Sequence, residues 1–432
     1  MATNQIDNPT TQASATRPAT VATRLNEIEG PPAGAAPNGR PSPRAAQTGF
    51  EEPDNPLARL TPEQIEELGK EFDAIHDEVF AELGDRDSRY IRSTIKLHRQ
   101  LVLAARGMLM GSRYKPLWVG GTAALSVAKI LENMEIGHNV MHGQWDWMND
   151  PDINSQNWDW DTASPADAWR HSHNYEHHTF TNIRGKDRDL GYEIMRIDPH
   201  QKWHPVYLAQ PFYNLLLMGF FEWGVAVHDL NHGAIHSGEK SKAQVIKELK
   251  AIGVKARKQV VKDYIAFPAL AAALNAGLAG RSSAPRAFKS TASANFTANI
   301  VRNVWAYSII FCGHFPDQTY TFSEQEVANE SRGGWYVRQL LGAANIDGGP
   351  LFHLLAGNLS FQVEHHLYPD MPSSRYAEIA PRVRDICRRY GLPYNTGPLH
   401  KQLGTVHRTI LRLAFPGGRV RPKPGPYQPD SL

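Results

Sequence analysis

Nineteen histidines stand in a chain of 432 residues, and their spacing carries most of the chemistry legible in the sequence. The first group is Gly137-His138-Asn139-Val140-Met141-His142. His138 and His142 are four apart, so on a helix they share one face and can hold one metal ion. Alone, such a pair also arises by chance. The second group, His171-Ser172-His173-Asn174-Tyr175-Glu176-His177-His178, places four histidines in eight residues. Imidazole is a poor core filler with two polar nitrogens to satisfy, and a solvated face would use Lys and Glu. His173 and His177 share a helical face, while His178 is turned about 100° from His177 and can serve a second metal. His171 lies off that face and reads as a spare, at the surface or behind the ligands. The third group, Gln362-Val363-Glu364-His365-His366, repeats the adjacent pair. Adjacent imidazoles diverge, which suits two metal ions rather than one.

Imidazole suits iron, copper, zinc and nickel alike. The two cysteines, Cys312 and Cys387, are too few for an iron–sulfur or cysteine-rich zinc site. A histidine-rich site for two metals fits redox chemistry with dioxygen. Glu132, Glu135, Glu176 and Glu364 lie nearby in sequence and are either partners that orient the imidazoles or helix-surface charges. A further stripe, His228, His232 and His236, falls at i, i+4 and i+8 and reads as a solvated helix face or a second metal site.

The elements that must position these groups are helical. Residues 1–54 are rich in Pro, Ala, Thr and Gly and are expected to be disordered, as is the Pro/Gly-rich tail 416–432. No secretory h-region appears near the start. The folded domain is therefore expected over 55–415. Thr61-Pro62-Glu63-Gln64 forms an N-cap signature for a first helix, and a second is expected from Asp87 through Met110, both on the surface. Four segments, Pro116–Ile136, Val206–Val227, Tyr264–Gly280 and Phe296–Phe311, are apolar enough to suggest membrane helices or buried helices of a soluble all-α protein. None is a clean run of 18 apolar residues, and mean hydropathy is −0.45. A net charge of +2 gives no case for nucleic acid as a partner.

The ordered set His138-x3-His142, His173-x3-His177-His178 and Gln362-x2-His365-His366-Leu367-Tyr368-Pro369 resembles the membrane-bound fatty acid desaturase family, over roughly Ile91 to Ile410. Its box-one run, GHNVMHGQWDWMND, is similar to that of actinobacterial acyl-CoA desaturases. The resemblance implies an all-α integral membrane bundle of about four membrane helices. A cytoplasmic helical cap would carry a histidine-rich di-iron site. It implies two iron ions (Fe2+) held by His138, His142, His173, His177, His178, His365, His366 and, by position at the end of a late helix, His314. Gln362 would stand at the same site, with Asn358 reaching it through water. The expected reaction is O2-dependent introduction of a cis double bond, mid-chain, into a long-chain (C16–C18) fatty acyl substrate, most simply an acyl-CoA. Alternatives are an acyl-lipid or front-end desaturase, a related di-iron lipid hydroxylase, or a non-enzymatic metal-binding or transport membrane protein. No H-P-G-G haem motif occurs in the sequence. Electrons are therefore expected from a separate protein: a ferredoxin, a cytochrome b5-like protein or a flavin reductase. Membrane lipid is the other expected partner.

Convergence of the boxes on one membrane face requires an even number of crossings between boxes two and three, with Val206–Val227 and Phe296–Phe311 favoured. Arg170, Arg184, Lys186, Arg188 and Arg196 crowd the box side. They place the site on the cytoplasmic face of a bacterial membrane by the positive-inside bias, and the same charges can bind coenzyme A phosphates. Trp145, Trp147, Trp158 and Trp160 either line an acyl tunnel or sit at headgroup level, with Trp145 or Trp147 expected to pack near the acyl chain.

Overall fold

The computed structural model describes residues 55–417 and 422–428. The expected disordered segment 1–54 lies outside the described residues. Helix α1 (Pro62–Ala81) opens as the sequence dictates: Thr61 Oγ1 accepts from the Gln64 N–H at 3.2 Å and Gln64 Oε1 accepts from the Thr61 N–H at 2.9 Å, a reciprocal cap that satisfies two free amides. Helix α2 (Asp85–Met110) follows. As expected, one face of it is exposed. It packs against α3 (Lys115–Ile130) and α7 (Phe267–Ala279), and it buries Ala105, Arg106 and Leu109.

Helix α3 runs on into a π-helix, Leu131–His138, and a last turn, Asn139–Met141. Box two has the same construction: Ala166–Trp169, then a π-helix over Arg170–His177, then a turn over His178–Phe180. Helices α4 (Gln210–Gly219) and α5 (Phe221–His228) meet at a break at Phe220. Helix α6 (Lys242–Val260) passes through a π-helical turn, Val261–Ala266, into α7. The longest element, α8 (Ala284–His314), packs on α3 and α7 and ends on His314. Then come α9 (Arg332–Gly342), strand β1 (Asn345–Asp347), α10 (Gln362–Leu367), α11 (Tyr376–Arg389), strand β2 (Thr396–Pro398) and α12 (Leu399–Leu413). The strands pair in parallel, with Asn345 opposite Thr396 and Asp347 opposite Pro398. Within the expected C-terminal tail, the Tyr427 N–H donates to the Leu392 carbonyl at 2.9 Å, and the Tyr427 ring lies 5.6 Å from that of Tyr394.

The expectation of an integral membrane bundle is corrected here. No helix among the described residues is long and apolar enough to cross a membrane. Val206–Val227 is divided by the break at Phe220. Phe296–Phe311 lies inside α8, which spans 31 residues but carries Arg286, Lys289, Arg302 and three asparagines. Arg286 and Lys289 are exposed, whereas Arg302 and the three asparagines are buried inside the helix assembly. Asp263 accepts from Arg106 Nη2 at 2.7 Å and from Lys129 Nζ at 2.9 Å. Arg302 pairs with Glu222, which also accepts from Gln259 Nε2 at 2.7 Å.

Candidate metal centre

Four chain segments bring the histidines together. Box one lies at the end of the α3 run, box two in its own π-helix, His314 at the C-terminal end of α8, and box three in α10. β1 anchors α10: Asn345 Oδ1 accepts from the Val363 N–H at 2.8 Å, and Asn345 Nδ2 donates to Glu364 at 2.9 Å. The close approach of α8 to α10 depends on Gly313, where an added Cβ would lie 2.8 Å from the Gln362 side chain.

Two groups result. His138, His142, His173 and His365 offer ring nitrogens within 4.8 Å of one another, and so do His177, His314 and His366. His178 lies between them, its ring 4.7 Å from that of His142, 4.8 Å from His365 and 4.5 Å from His366. The adjacent pair His365–His366 therefore splits between the groups. His173 and His177 also fall in different groups, yet they keep one face: their rings stack at 5.1 Å and both lie beside Asp189. Both boxes sit on π-helical turns, and such turns concentrate at functional sites.

The second nitrogen of most rings is already engaged. His138 Nδ1 donates to Asn139 Oδ1 at 3.0 Å, an amide oriented by donating to the Glu135 and Gly357 carbonyls. His173 Nδ1 donates to Asp189 at 3.3 Å and His177 Nδ1 to Asp187 at 3.0 Å. His365 Nδ1 donates to Tyr376 Oη at 3.2 Å, whose own proton goes to the Tyr368 carbonyl. His366 Nδ1 donates to Gln339 Oε1 at 2.9 Å. Each such bond fixes the tautomer that leaves Nε2 as the free lone pair.

Those free nitrogens face one another without partners. His142, His173, His177 and His365 each bury an Nε2 with no hydrogen bond, and both nitrogens of His178 are in the same condition. His314 Nε2 lies 3.2 Å from His366 Nε2 and 2.9 Å from the Gln362 amide nitrogen. An unsatisfied buried polar atom costs about 1–3 kcal/mol, so this many at one place require a common acceptor of lone pairs. A pair of metal ions fits. Burial holds His142, His178, His365 and His366 well below the ordinary imidazole range and His138 at about 3. These rings are therefore neutral and able to ligate. Burial pulls His177 the same way, but Asp187 more than reverses it and raises that ring.

Other sequence expectations fall elsewhere. Among the described residues, the carboxylates of Glu132, Glu135, Glu176 and Glu364 make no hydrogen bond or ion pair with the grouped histidines. Glu135 binds Tyr90, Ser373 and Asn358; Glu364 binds Asn345 and Tyr394; Glu176 pairs with Arg188; and Glu132 accepts from the Asp161 amide. The orienting acids are Asp187 and Asp189, a pair ten residues past box two whose signal is the alternation Asp187-Arg188-Asp189. Asn358, in the left-handed region, donates to Glu135 and Tyr90 rather than to a histidine. His171 stays exposed and pairs with Glu176.

The His228 stripe does not exist as one face. The helix ends at His228, Asn231 is left-handed, and His232 and His236 sit on a separate exposed turn. His228 alone turns inward. Arg170, Arg184, Lys186, Arg188 and Arg196 all have intramolecular partners.

A cavity opens beside the groups, lined by His138, His173 and His314 on one side and by Met134, Trp160, Trp169, Tyr192, Phe221 and Ile310 among others. Trp169 stacks on His173 at 4.5 Å and meets Trp160 at 5.0 Å. Trp145 and Trp147, expected nearest the substrate, do not line it. Trp145 is fully buried against Ile91, Ile136 and Val140.

No solved structure matches the chain. The NADPH-dependent stearoyl-CoA 9-desaturase of Mycobacterium tuberculosis (strain ATCC 25618 / H37Rv) is 46% identical over 365 residues, covering 84% of this chain and 83% of that protein. The sn-1 linoleoyl-lipid 6-desaturase of Synechocystis sp. (strain ATCC 27184 / PCC 6803 / Kazusa) is 25% identical over 338 residues, covering 75% of this chain and 89% of that protein. Fatty acid desaturase 3 of Homo sapiens is 29% identical over 113 residues, 26% of this chain and 24% of that protein. The family described as fatty acid desaturase matches residues 116–398, well over half of the chain. With its histidine boxes assembled into two facing groups, this oxidoreductase belongs to the fatty acid desaturase family.

Proposed function

We propose that the protein introduces a cis double bond at position 9 of stearoyl-CoA, or of a closely similar C16–C18 acyl-CoA. The observation that carries this reading is the pair of histidine groups with their free nitrogens turned inward, taken with the printed activity of the 46%-identical relative. His138, His142, His173 and His365 would hold one iron and His177, His314 and His366 the other. His178 stands between them, and Gln362 closes the second group beside His314. The chemistry that iron supplies when bound is O2-dependent removal of hydrogen from an unactivated methylene pair, which no side chain can perform.

The chain's own work is positioning and exclusion. Asp187, Asp189, Asn139, Gln339 and Tyr376 fix the tautomers of the ligating rings. Met134, Trp160, Trp169, Tyr192, Phe221 and Ile310 offer an apolar wall for a methylene chain beside His138 and His173 and keep bulk water from it. The reducing equivalents come from NADPH through a separate electron-transfer protein: a ferredoxin, a cytochrome b5-like protein or a flavin reductase. The protein works at the bacterial cell membrane with its site toward the cytoplasm. The exposed apolar residues Leu208, Phe212, Leu215, Leu216 and Phe220 on and around α4 support contact with lipid, since a soluble monomer rarely exposes so many together.

The test is the iron content of the purified chain and the products of stearoyl-CoA with NADPH, O2 and a competent electron donor, with double-bond position read by mass spectrometry. A 9-cis product with two irons per chain is expected. A hydroxylated chain, a product from lipid-bound acyl groups only, or a chain free of iron would each overturn the reading in a different place.

A further inference from the structure

We propose that His228, a residue outside the histidine boxes, is a positioning residue that acts through Asp189 on both histidine groups at once. Asp189 Oδ1 accepts from His228 Nε2 at 2.9 Å, and Oδ2 accepts from His173 Nδ1 at 3.3 Å. The same Oδ2 lies 3.7 Å from His177 Nδ1. His173 belongs to one group and His177 to the other, so a single carboxylate touches one member of each.

Among the described residues, only imidazoles reach that carboxylate: no arginine, lysine or backbone N–H donates to it. Its plane is therefore set from the far side by His228. His228 is itself held in place. It is buried at the end of α5, its carbonyl accepts from Arg188 Nη1 at 3.3 Å, and its ring lies 5.1 Å from that of Tyr192. Because Nε2 faces Asp189, His228 is not a member of either group; its effect passes through the carboxylate. A rotation of Asp189 would move the Nδ1 acceptor of His173 and change the direction of its Nε2.

The inference rests on the proposed di-iron reading, and the experiment separates the two. Full-length protein is loaded with Fe2+. Iron per chain, the Mössbauer spectrum of the ferrous centre, kcat and KM are measured for the wild type, His228→Leu and His228→Gln. His228→Leu is expected to lower iron affinity ten- to a hundred-fold, alter the ferrous spectrum and lower kcat with little change in KM for the acyl substrate. His228→Gln, whose amide N–H can replace the donor, is expected to restore affinity and spectrum toward the wild type.

In an Asp189→Asn background, His228→Leu is expected to add little, because the path through Asp189 is already broken. Fully additive losses would overturn the proposal, as would wild-type affinity, spectrum and kcat in His228→Leu. Should the leucine variant not fold, the glutamine variant decides alone: retention of the ferrous spectrum supports the donor role and its loss overturns it. A wild type that takes up no iron would instead sink the di-iron reading itself.

Discussion

His177 donates its Nδ1 proton to Asp187 at 3.0 Å, and Asp187 is in turn fixed by the backbone amides of Asn182 at 2.7 Å and Asp189 at 3.0 Å. A carboxylate held by two amides cannot turn away from its histidine. It therefore sets the direction of the free Nε2 in the second group. Asp187→Ala is expected to lower iron affinity ten- to a hundred-fold, with Asp187→Asn milder because an amide oxygen still accepts. Iron per chain across a chelator titration checks this, and equal affinity in the alanine variant would refute it.

His177→Ala should abolish the desaturated product while the chain still accumulates. The ring is buried with an unpartnered Nε2, so its removal takes a ligand from the second group without removing an apolar contact the fold needs. The comparison is the fatty-acid profile of cells expressing the wild type and the variant at matched protein levels. An active, iron-replete His177→Ala would contradict the assignment.

The tryptophans divide by position. Trp160 lines the cavity and meets Trp169, which stacks on His173, whereas Trp145 is sealed in a separate cluster with Ile91, Ile136 and Val140. Trp160→Ala should therefore change the chain length or double-bond position of the product. Trp145→Ala should leave product identity alone and cost about 3–5 kcal/mol of stability, as large aromatic truncations in cores do. Product analysis and denaturant melts of both variants distinguish the two outcomes.

Asp263 carries Arg106 and Lys129 directly, with Lys262 at 4.0 Å. Removing one partner of a buried ion pair costs about 3–5 kcal/mol because the other charge stays buried. Asp263→Leu leaves Arg106 without a carboxylate and Lys129 with only Asp161 at 3.6 Å, and should destabilise more than Lys129→Met, after which Arg106 still balances the carboxylate. Unfolding free energies in the reverse order would show that Lys129, not Asp263, is the hub.

The boxes were legible in the sequence because ligating imidazoles must be imidazoles, and their order along the chain survives in their assembly. What stayed hidden were features set by tertiary geometry. The π-helices over Leu131–His138 and Arg170–His177 leave no compositional mark, and a spacing of four places His173 and His177 on one face without telling that they serve different groups. Asp187 and Asp189 sit in a loop with no periodicity, while the glutamates within the boxes drew attention and turned out to hold scaffolding residues such as Tyr90 and Asn345. The His228 stripe failed because Asn231 adopts a left-handed conformation that ends the helix. The membrane reading came from the family resemblance, with four segments of high apolar average offered as its helices. Arg106, Lys129 and Arg302 are buried by specific partners that an average does not register.

Glu135 supplies a prediction in pH. Burial pushes its carboxyl from 4.5 up to about 7, against the opposing pull of its hydrogen bonds from Ser373, Tyr90 and Asn358. Between pH 4.5 and 7 the unfolded chain has released this proton while the folded chain keeps it, so the folded state binds more protons and stability falls as pH rises. The contribution is fully present below 4.5 and gone above about 7, on the order of 3 kcal/mol at 1.36 kcal/mol per unit. Glu135→Gln cannot ionise and should flatten that part of the profile. Urea unfolding of both proteins at pH 5 and pH 8 checks it: the wild type should lose more stability than the variant over this interval, and parallel losses would assign the pH dependence to other groups.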